Sequence, residues 1–120
     1  MSTTAQPNTP GAQAERLAAQ FLQRRGLKLL QQNYRCRHGE IDLILQDGDT
    51  LVFAEVRLRS RADFGGAAAS ITAAKQGRLI HTAQHYLATL ARTPPCRFDA
   101  VLLDTLEDTG VEWVRNAFTL

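Results

Sequence analysis

The chain has 120 residues, and its 14 lysines and arginines against 12 aspartates and glutamates give a formal charge of +2. This length supports one domain, and so small a charge does not by itself indicate a nucleic-acid-binding protein. No segment approaches the roughly 18 uninterrupted apolar residues of a membrane helix, and residues 1–10 lack the apolar core of a secretory signal. We therefore expect a cytoplasmic protein with no membrane partner, a disordered lead-in over 1–10 and one domain over 11–120.

The first half of the chain predicts one helix and three extended segments. In order they are a helix over 11–25, an extended stretch over 27–37, and strands over 40–46 and 50–58. Gly26 follows the helix where a C-terminal cap belongs, and Asp47-Gly48 indicates a hairpin turn. The apolar residues Ile41, Leu43 and Leu45 alternate along the first strand. The second strand is apolar on both faces, which predicts a central position in the sheet.

The second half of the chain predicts a helical crossover and two more strands. A polar loop over 59–67 precedes a long helix that starts at Ser70 as N-cap and runs to about Ala91. Its inward residues are predicted to be Ile71, Ala74, Ile80, Ala83, Leu87 and Leu90. Strands over 98–103 and 111–114 flank a turn at 107–110. The order α-β-β-β-α-β-β predicts an α/β fold, with a sheet flanked by helices.

Three carboxylates occupy positions where apolar residues are expected. Asp42 lies inside the strand IDLIL, and Glu55 lies inside the strand LVFAEV. Glu15 lies on the packing face of its helix, with Ala18 and Leu22 three and seven residues further on. An unpaired carboxylate in such surroundings costs several kcal/mol or becomes protonated. A bound cation would remove that cost.

The hairpin brings Asp42 and Glu55 to neighbouring strands near the same end of the sheet. Two carboxylates, together with water and phosphate oxygens, are a normal ligand set for Mg²⁺. Arg57 lies two residues after Glu55 and therefore points to the same face. The alternative is that these residues form only structural salt bridges, such as Glu55 with Arg57 or Asp42 with Arg59.

Basic residues are concentrated in the second half, where no Asp or Glu occurs between Phe64 and Phe98. Lys75, Arg78 and His85 predict a basic stripe along the second helix, and Arg59 follows the motif strand in the loop. Contact with phosphates and a simple solvated face are both compatible with this pattern. His81 and His85 have the spacing of some zinc sites, but no neighbouring Cys or Glu supports a zinc site.

Several motifs in a fixed order resemble one known family. They are GEIDLI over 39–44, VFAEVRLRS over 52–60, FG over 64–65, a helix with Lys75, Arg78 and Leu79, and RFD over 97–99. From residue 11 to residue 118 the chain resembles the YraN-like family of uncharacterised bacterial proteins. That family is considered part of the PD-(D/E)xK nuclease superfamily and looks most like archaeal Holliday-junction resolvases. The resemblance implies a restriction-endonuclease-like three-layer core with a mixed sheet.

The resemblance also implies the parts of a nuclease site. Glu15, Asp42 and Glu55 would be catalytic residues and ligands of Mg²⁺ or Mn²⁺, and Arg57 takes the position of the motif lysine. Substrate-binding residues would be Arg59, Lys75 and Arg78. The implied substrate is nucleic acid, branched or junction DNA above all, and resolvases of this kind act as dimers, which makes a homodimer a further expectation.

Arg57 is the departure from the family pattern. Lysine can lose a proton when its pKa is lowered, whereas arginine keeps its charge. Three functions therefore remain open at this point: a metal-dependent, structure-selective DNA endonuclease, a nucleic-acid-binding protein that keeps the nuclease fold without turnover, and a non-enzymatic adaptor.

Overall fold

The computed structural model describes residues 9–58, 71–104 and 110–118. The elements in chain order are α1 (Pro10–Arg24), β1 (Lys28–Cys36), β2 (Gly39–Asp47), β3 (Thr50–Leu58), α2 (Ala73–Leu87), β4 (Cys96–Leu103) and β5 (Val111–Phe118). Over these residues the predicted order α-β-β-β-α-β-β is confirmed. The predicted loop over 59–67 and most of the turn over 107–110 lie outside the described residues. In the described part of the chain, no helix is both long and apolar enough to cross a membrane.

The five strands form one mixed sheet in the order β1-β2-β3-β4-β5. Neighbouring strands are antiparallel except β3 and β4, which run parallel because α2 carries the chain back across the sheet. β3 is the middle strand of the five, as its two apolar faces predicted.

Each helix packs on one face of the sheet, which gives three layers. The cluster on the α1 face holds Ala14, Ala18, Ala19, Leu22, Leu27, Leu43, Leu45, Val52, Ala54, Val101 and Leu103. The cluster on the α2 face holds Ile41, Ile44, Leu51, Phe53, Ile71, Leu79, Ala83, Phe98, Ala100 and Leu102. The α/β fold class is thus confirmed, with a sheet between two helical layers.

Helix α1 begins one residue before the predicted start. The Thr9 hydroxyl accepts a hydrogen bond from the backbone N–H of Ala12 at 3.1 Å, which makes Thr9 the N-cap, and Pro10 fills the first helical position. Gly26 follows the helix with a φ of 96°, a left-handed conformation that glycine adopts without strain. Of the predicted disordered lead-in, residues 1–8 lie outside the described part of the chain.

Helix α2 is shorter than predicted at its C-terminal end. Its N-cap is Thr72, whose hydroxyl accepts from the N–H of Lys75 at 3.2 Å, and not Ser70, which lies outside the described residues. The helix ends at Leu87, where backbone bonding changes from four residues to three: the N–H groups of Thr89 and Leu90 bond the carbonyls of Tyr86 and Leu87, and the Thr89 hydroxyl also donates to the Tyr86 carbonyl at 2.6 Å.

Two expectations about which residues face inward are wrong. Ala74, predicted to face inward on α2, is exposed, while Leu79 is buried. Along β2, Ile41 packs on the α2 face although Leu43 packs on the α1 face. Side-chain alternation in β2 is therefore interrupted at Asp42, and this irregularity lies at the candidate site.

Candidate active site

An open cleft of about 420 Å³ lies where α1, β2, β3 and α2 meet. Six of the seven predicted site residues line it: Glu15, Asp42, Glu55, Arg57, Lys75 and Arg78. The seventh, Arg59, lies outside the described residues. Three acids and three bases that are scattered over 64 residues of sequence, from 15 to 78, thus share one concave surface. Whether they act as catalytic residues stays a prediction.

The cleft opens where β2 and β3 separate. Their pairing runs from Asp47 opposite Thr50 to Leu43 opposite Ala54. One residue further on, Asp42 Oδ2 accepts a hydrogen bond from the backbone N–H of Val56 at 2.8 Å. The Asp42 carboxylate therefore accepts a hydrogen bond from the main chain of β3, in the part of that strand that pairs only with β4.

On its other side, Asp42 lies opposite an irregular residue of β1. The register of β1 with β2 pairs Gln32 with Leu43 and Tyr34 with Ile41, which places Asn33 opposite Asp42. Asn33 has a φ of 54°, a left-handed conformation that asparagine tolerates better than most residues. Both strands thus depart from regular geometry at the level where the acids gather.

The Asp42 carboxyl group lies close to that of Glu55 and is partly shielded from water. Burial, and next the charge of Glu55, raise the pKa of Asp42 from 3.8 to about 8, against the opposing effect of the Val56 N–H. At neutral pH, a group with such a pKa keeps its proton unless a cation balances the charge. The site therefore favours cation binding over a bare pair of carboxylates.

Glu15 brings a third carboxylate from α1. Asn33 Nδ2 donates to its Oε1 at 2.9 Å, which fixes the side chain toward the sheet. Burial above all, and next the charge of Glu40, raise the pKa of Glu15, while hydrogen bonds with Asp42 and Asn33 act in the opposite direction. Several carboxylates thus lie close enough on this side of the cleft to raise one another's pKa.

Two cations approach Glu55 from different elements. Glu55 is only 5% exposed, and its Oε2 forms an ion pair with Lys75 Nζ of α2. Arg57 Nη1 lies 3.9 Å from the same oxygen. The expected Glu55–Arg57 salt bridge is therefore present as a long contact, and Lys75 is the closer partner. Both cations keep about a third of their side-chain surface exposed, which leaves them able to meet an anion.

The donor set of the cleft fits a hard divalent cation. Carboxylate oxygens are the protein ligands that Mg²⁺ and Mn²⁺ prefer, and burial together with the charge of Glu55 disfavours a bare negative charge on Asp42. Within residues 9–58, 71–104 and 110–118, however, no three His, Cys, Asp or Glu side chains group closely enough to hold an ion between them. The predicted set of Glu15, Asp42 and Glu55 does not form such a group here. Their roles as metal ligands stay predictions.

The predicted basic stripe of α2 is divided among different partners. Lys75 turns to Glu55, and Arg78 lines the cleft. His85 Nδ1 instead shares a hydrogen bond of 2.5 Å with the Tyr34 hydroxyl. Whether the three residues contact phosphates stays a prediction.

Two residues of the site escaped the sequence reasoning. Asn33 gives no signal in a polar extended stretch, because its contact with Glu15 spans 18 residues. Glu40 lines the cleft and raises the pKa of Glu15, and Arg35 Nε donates to its Oε2 at 3.1 Å. Its position two residues before Asp42 is the one signal that could have indicated it.

Comparison with known proteins places the chain in a family. The model of the uncharacterised protein family UPF0102 matches residues 14–103. A UPF0102 protein of Nitrosomonas europaea is 62% identical over 108 residues, which cover 90% of this chain and 92% of that protein. A UPF0102 protein of Cupriavidus metallidurans is 57% identical over 120 residues, covering 99% of this chain and 84% of that protein. The chain belongs to the uncharacterised protein family UPF0102.

Proposed function

We propose that the chain is a metal-dependent, structure-selective DNA endonuclease that hydrolyses phosphodiester bonds in this cleft. The observation that carries the proposal is the Asp42–Glu55 pair: two neighbouring carboxylates that repel each other, flanked by Lys75 and Arg57. A purely structural role would be met more simply by one carboxylate with one cation. Phosphodiester hydrolysis needs both signs of charge at one place, because a metal and a phosphate must meet there.

Asp42 and Glu55 would hold Mg²⁺ or Mn²⁺, with Glu15 acting directly or through water. A bound metal of this kind polarises the phosphate and lowers the pKa of an attacking water. The chain's own residues would do the remaining work. Asn33 holds Glu15 in place, and the Val56 N–H holds Asp42.

Arg57 and Lys75 would bind the non-bridging oxygens of the scissile phosphate. Both reach the same oxygen of Glu55 and remain partly exposed. A phosphate entering the cleft would therefore meet two cations close by, which would stabilise the negative charge that develops on it. The guanidinium of Arg57 keeps its proton, so its proposed role is electrostatic.

The PD-(D/E)xK resemblance supports DNA as the substrate, and branched or junction DNA in particular. An open, polar cleft suits a backbone that is recognised by shape better than a base that is read in a pocket. A homodimer would present two such clefts to the two symmetric strands of a junction.

A second candidate is a DNA-binding protein with the same fold but without turnover. Arg57 is the observation that favours it, because an arginine cannot serve as a proton acceptor where a lysine can. The two candidates differ in cleavage and agree in metal and DNA binding.

The test is cleavage of end-labelled four-way junction, flap, linear duplex and single-stranded DNA with Mg²⁺, Mn²⁺ or EDTA. Glu55→Gln and Asp42→Asn should each lower the rate by at least about a hundredfold, the scale of losing one essential electrostatic group. Asp49→Asn is the matched control, since it removes an exposed carboxylate from the turn at the opposite end of the same hairpin. Its rate should equal that of the unchanged protein.

Arg57→Lys separates the two candidates. Cutting by the unchanged protein, lost in Glu55→Gln, would support the nuclease. If Arg57→Lys cuts DNA and the unchanged protein does not, the unchanged protein is a DNA-binding protein without turnover. If no form cuts or binds any of the four DNAs with either metal, both candidates are wrong and the adaptor becomes the best remaining hypothesis.

A further inference from the structure

The turn between β1 and β2 lies against helix α2 beside the cleft. Gly39 packs on α2: a Cβ added there would lie at ordinary contact distances of 3.4 Å from Thr82 Oγ1 and 3.6 Å from Arg78 Cβ, and its φ of 151° is the feature that requires glycine. Cys36 Sγ lies 3.7 Å from Thr82 Oγ1 and accepts from the His38 N–H at 3.3 Å. The turn is thus fixed on the helix by contacts on both sides of His38.

Two histidines meet across this junction. The ring centroids of His38 and His81 lie 5.2 Å apart, with planes inclined at 42°, and both side chains are exposed. Arg78 is exposed, precedes His81 by three residues on the same face of α2 and also lines the cleft. Arg78 therefore connects the histidine pair with the cleft.

Other ionisable groups surround the pair. On α2 His85 is engaged with the Tyr34 hydroxyl. The turn side contributes the Cys36 thiol and the exposed Arg37, and Glu40 of β2 is paired with Arg35.

Two imidazoles at this separation repel each other when both are protonated, unless an anion lies against them. Both ring nitrogens of a protonated histidine donate hydrogen bonds, and histidine is the side chain that changes charge near neutral pH, so an anion would bind such a pair best in its protonated form. A phosphodiester backbone is the anion that suits an exposed pair next to an arginine.

We propose that His38, His81 and Arg78 form a rim site that binds the backbone of DNA as it leaves the cleft, more tightly as the pH falls. The rim site rests on the proposed function, since it takes DNA to be the substrate. It is separate from the carboxylates and needs no metal. The cleft would hold the phosphate to be cut, and the rim site would hold a phosphate further along the strand.

The test is binding of fluorescein-labelled duplex and four-way junction DNA to the full chain in EDTA, by anisotropy, from pH 6 to pH 8. EDTA prevents cleavage. The unchanged protein should bind about tenfold more tightly at pH 6 than at pH 8, the scale of one or two added phosphate contacts. The double variant His38→Gln and His81→Gln should lose that difference, and its affinity should fall less steeply with salt.

His85→Gln is the matched control, because it removes a histidine of the same helix that faces Tyr34. It should keep the pH dependence, and thermal melting of each variant would check that the fold is intact. If the double variant keeps the full pH dependence, or if DNA binding is strong but independent of pH, the rim site is wrong while the proposed function stands. If no form binds DNA at any pH in EDTA, the rim site is wrong, because it needs no metal, and the cleavage and binding assays with Mg²⁺ or Mn²⁺ decide separately on the proposed function.

Discussion

Two aspartates of the sheet, Asp42 on β2 and Asp99 on β4, are both enclosed by the protein, but their partners differ. Asp99 is fully buried and accepts hydrogen bonds from Arg97 Nε, from Trp113 Nε1 at 2.9 Å and from the Asn116 N–H at 3.1 Å. Arg97 Nη2 also lies 3.0 Å from Asp47 Oδ2. Asp99 therefore has one cation, which it shares with Asp47, and several hydrogen-bond donors.

Asp42 has a poorer environment for a negative charge. It accepts the Val56 N–H and faces Glu55, whose own cation contacts are to Lys75 and Arg57. The comparison teaches that burial of a charge does not by itself indicate a functional site. A carboxylate with satisfied partners holds strands together, whereas a carboxylate whose pKa is raised by burial and by a neighbouring carboxylate is a candidate for cation binding.

The largest expected effect is on stability and concerns Asp99. Asp99→Ala should lower the free energy of unfolding by about 3–5 kcal/mol, because it leaves Arg97 largely buried without its main partner. Urea denaturation followed by circular dichroism measures this change.

Asp42→Asn is the paired variant for the same measurement. It replaces a carboxyl that is largely protonated at pH 7 with a neutral amide of the same size, so the free energy of unfolding at that pH should stay nearly equal. A loss for Asp42→Asn as large as that for Asp99→Ala would remove the distinction between the two regions.

Metal binding should stabilise the cleft and leave the Asp99 region unaffected. Mn²⁺ at a hundred times its dissociation constant should raise the free energy of unfolding by about 2.7 kcal/mol. At a fixed Mn²⁺ concentration the effect should be larger at pH 8 than at pH 6, because protons compete with the metal for Asp42 and weaken its binding. Melting curves with Mn²⁺ and EDTA measure it, and Glu55→Gln should abolish the shift while Asp49→Asn keeps it.

The acid dependence of stability should have an opposite sign at the cleft to that of ordinary paired carboxylates. Because the pKa of Asp42 is 3.8 when unfolded and about 8 in the fold, the folded protein holds a proton that the unfolded chain has released between these values. Its contribution to the free energy of unfolding therefore falls as the pH rises from about 4 to about 8.

Comparison of the unchanged protein with Asp42→Asn over that pH range isolates this contribution. The difference should reach about 1–2 kcal/mol, less than the full shift implies, since the cleft is open to water. A difference between the two proteins that does not change with pH would show that Asp42 is not protonated in the fold.

The sequence was sufficient to predict the fold class and the order of elements, because α1 follows the helical period closely and β3 is a short apolar run that follows a turn signal. It also predicted that Asp42 and Glu55 would lie close together, since a hairpin makes neighbours of its strands, whereas Glu15 was assigned to the site by the family resemblance. These are local rules applied over one turn or one hairpin.

What the sequence could not predict depends on contacts between distant segments. The pairing of Lys75 with Glu55 and of Asn33 with Glu15 requires the crossing positions of α2 and α1 on the sheet. The change of face at Asp42 coincides with a left-handed Asn33 on the neighbouring strand. At the end of α2 the backbone N–H groups of Thr89 and Leu90 bond the carbonyls three residues back, which no pattern in this stretch of good helix formers predicts.

The smallest expected effect concerns Lys75, which occupies the carboxylate that a metal would use. Lys75→Met removes the ammonium from Glu55, and Mn²⁺ should then bind about three- to fivefold more tightly, the equivalent of an exposed ion pair of about 1 kcal/mol. DNA affinity should fall in the same variant, because a phosphate contact is lost. Isothermal titration with Mn²⁺ and anisotropy with DNA measure the two changes.

Lys28→Met, which replaces the chain's other lysine at an exposed position of β1, should change neither affinity. If Lys75→Met weakens both metal and DNA binding, the ammonium supports the carboxylates and does not compete with the metal. The cleft would then resemble the Asp99 region more closely than the raised pKa of Asp42 indicates.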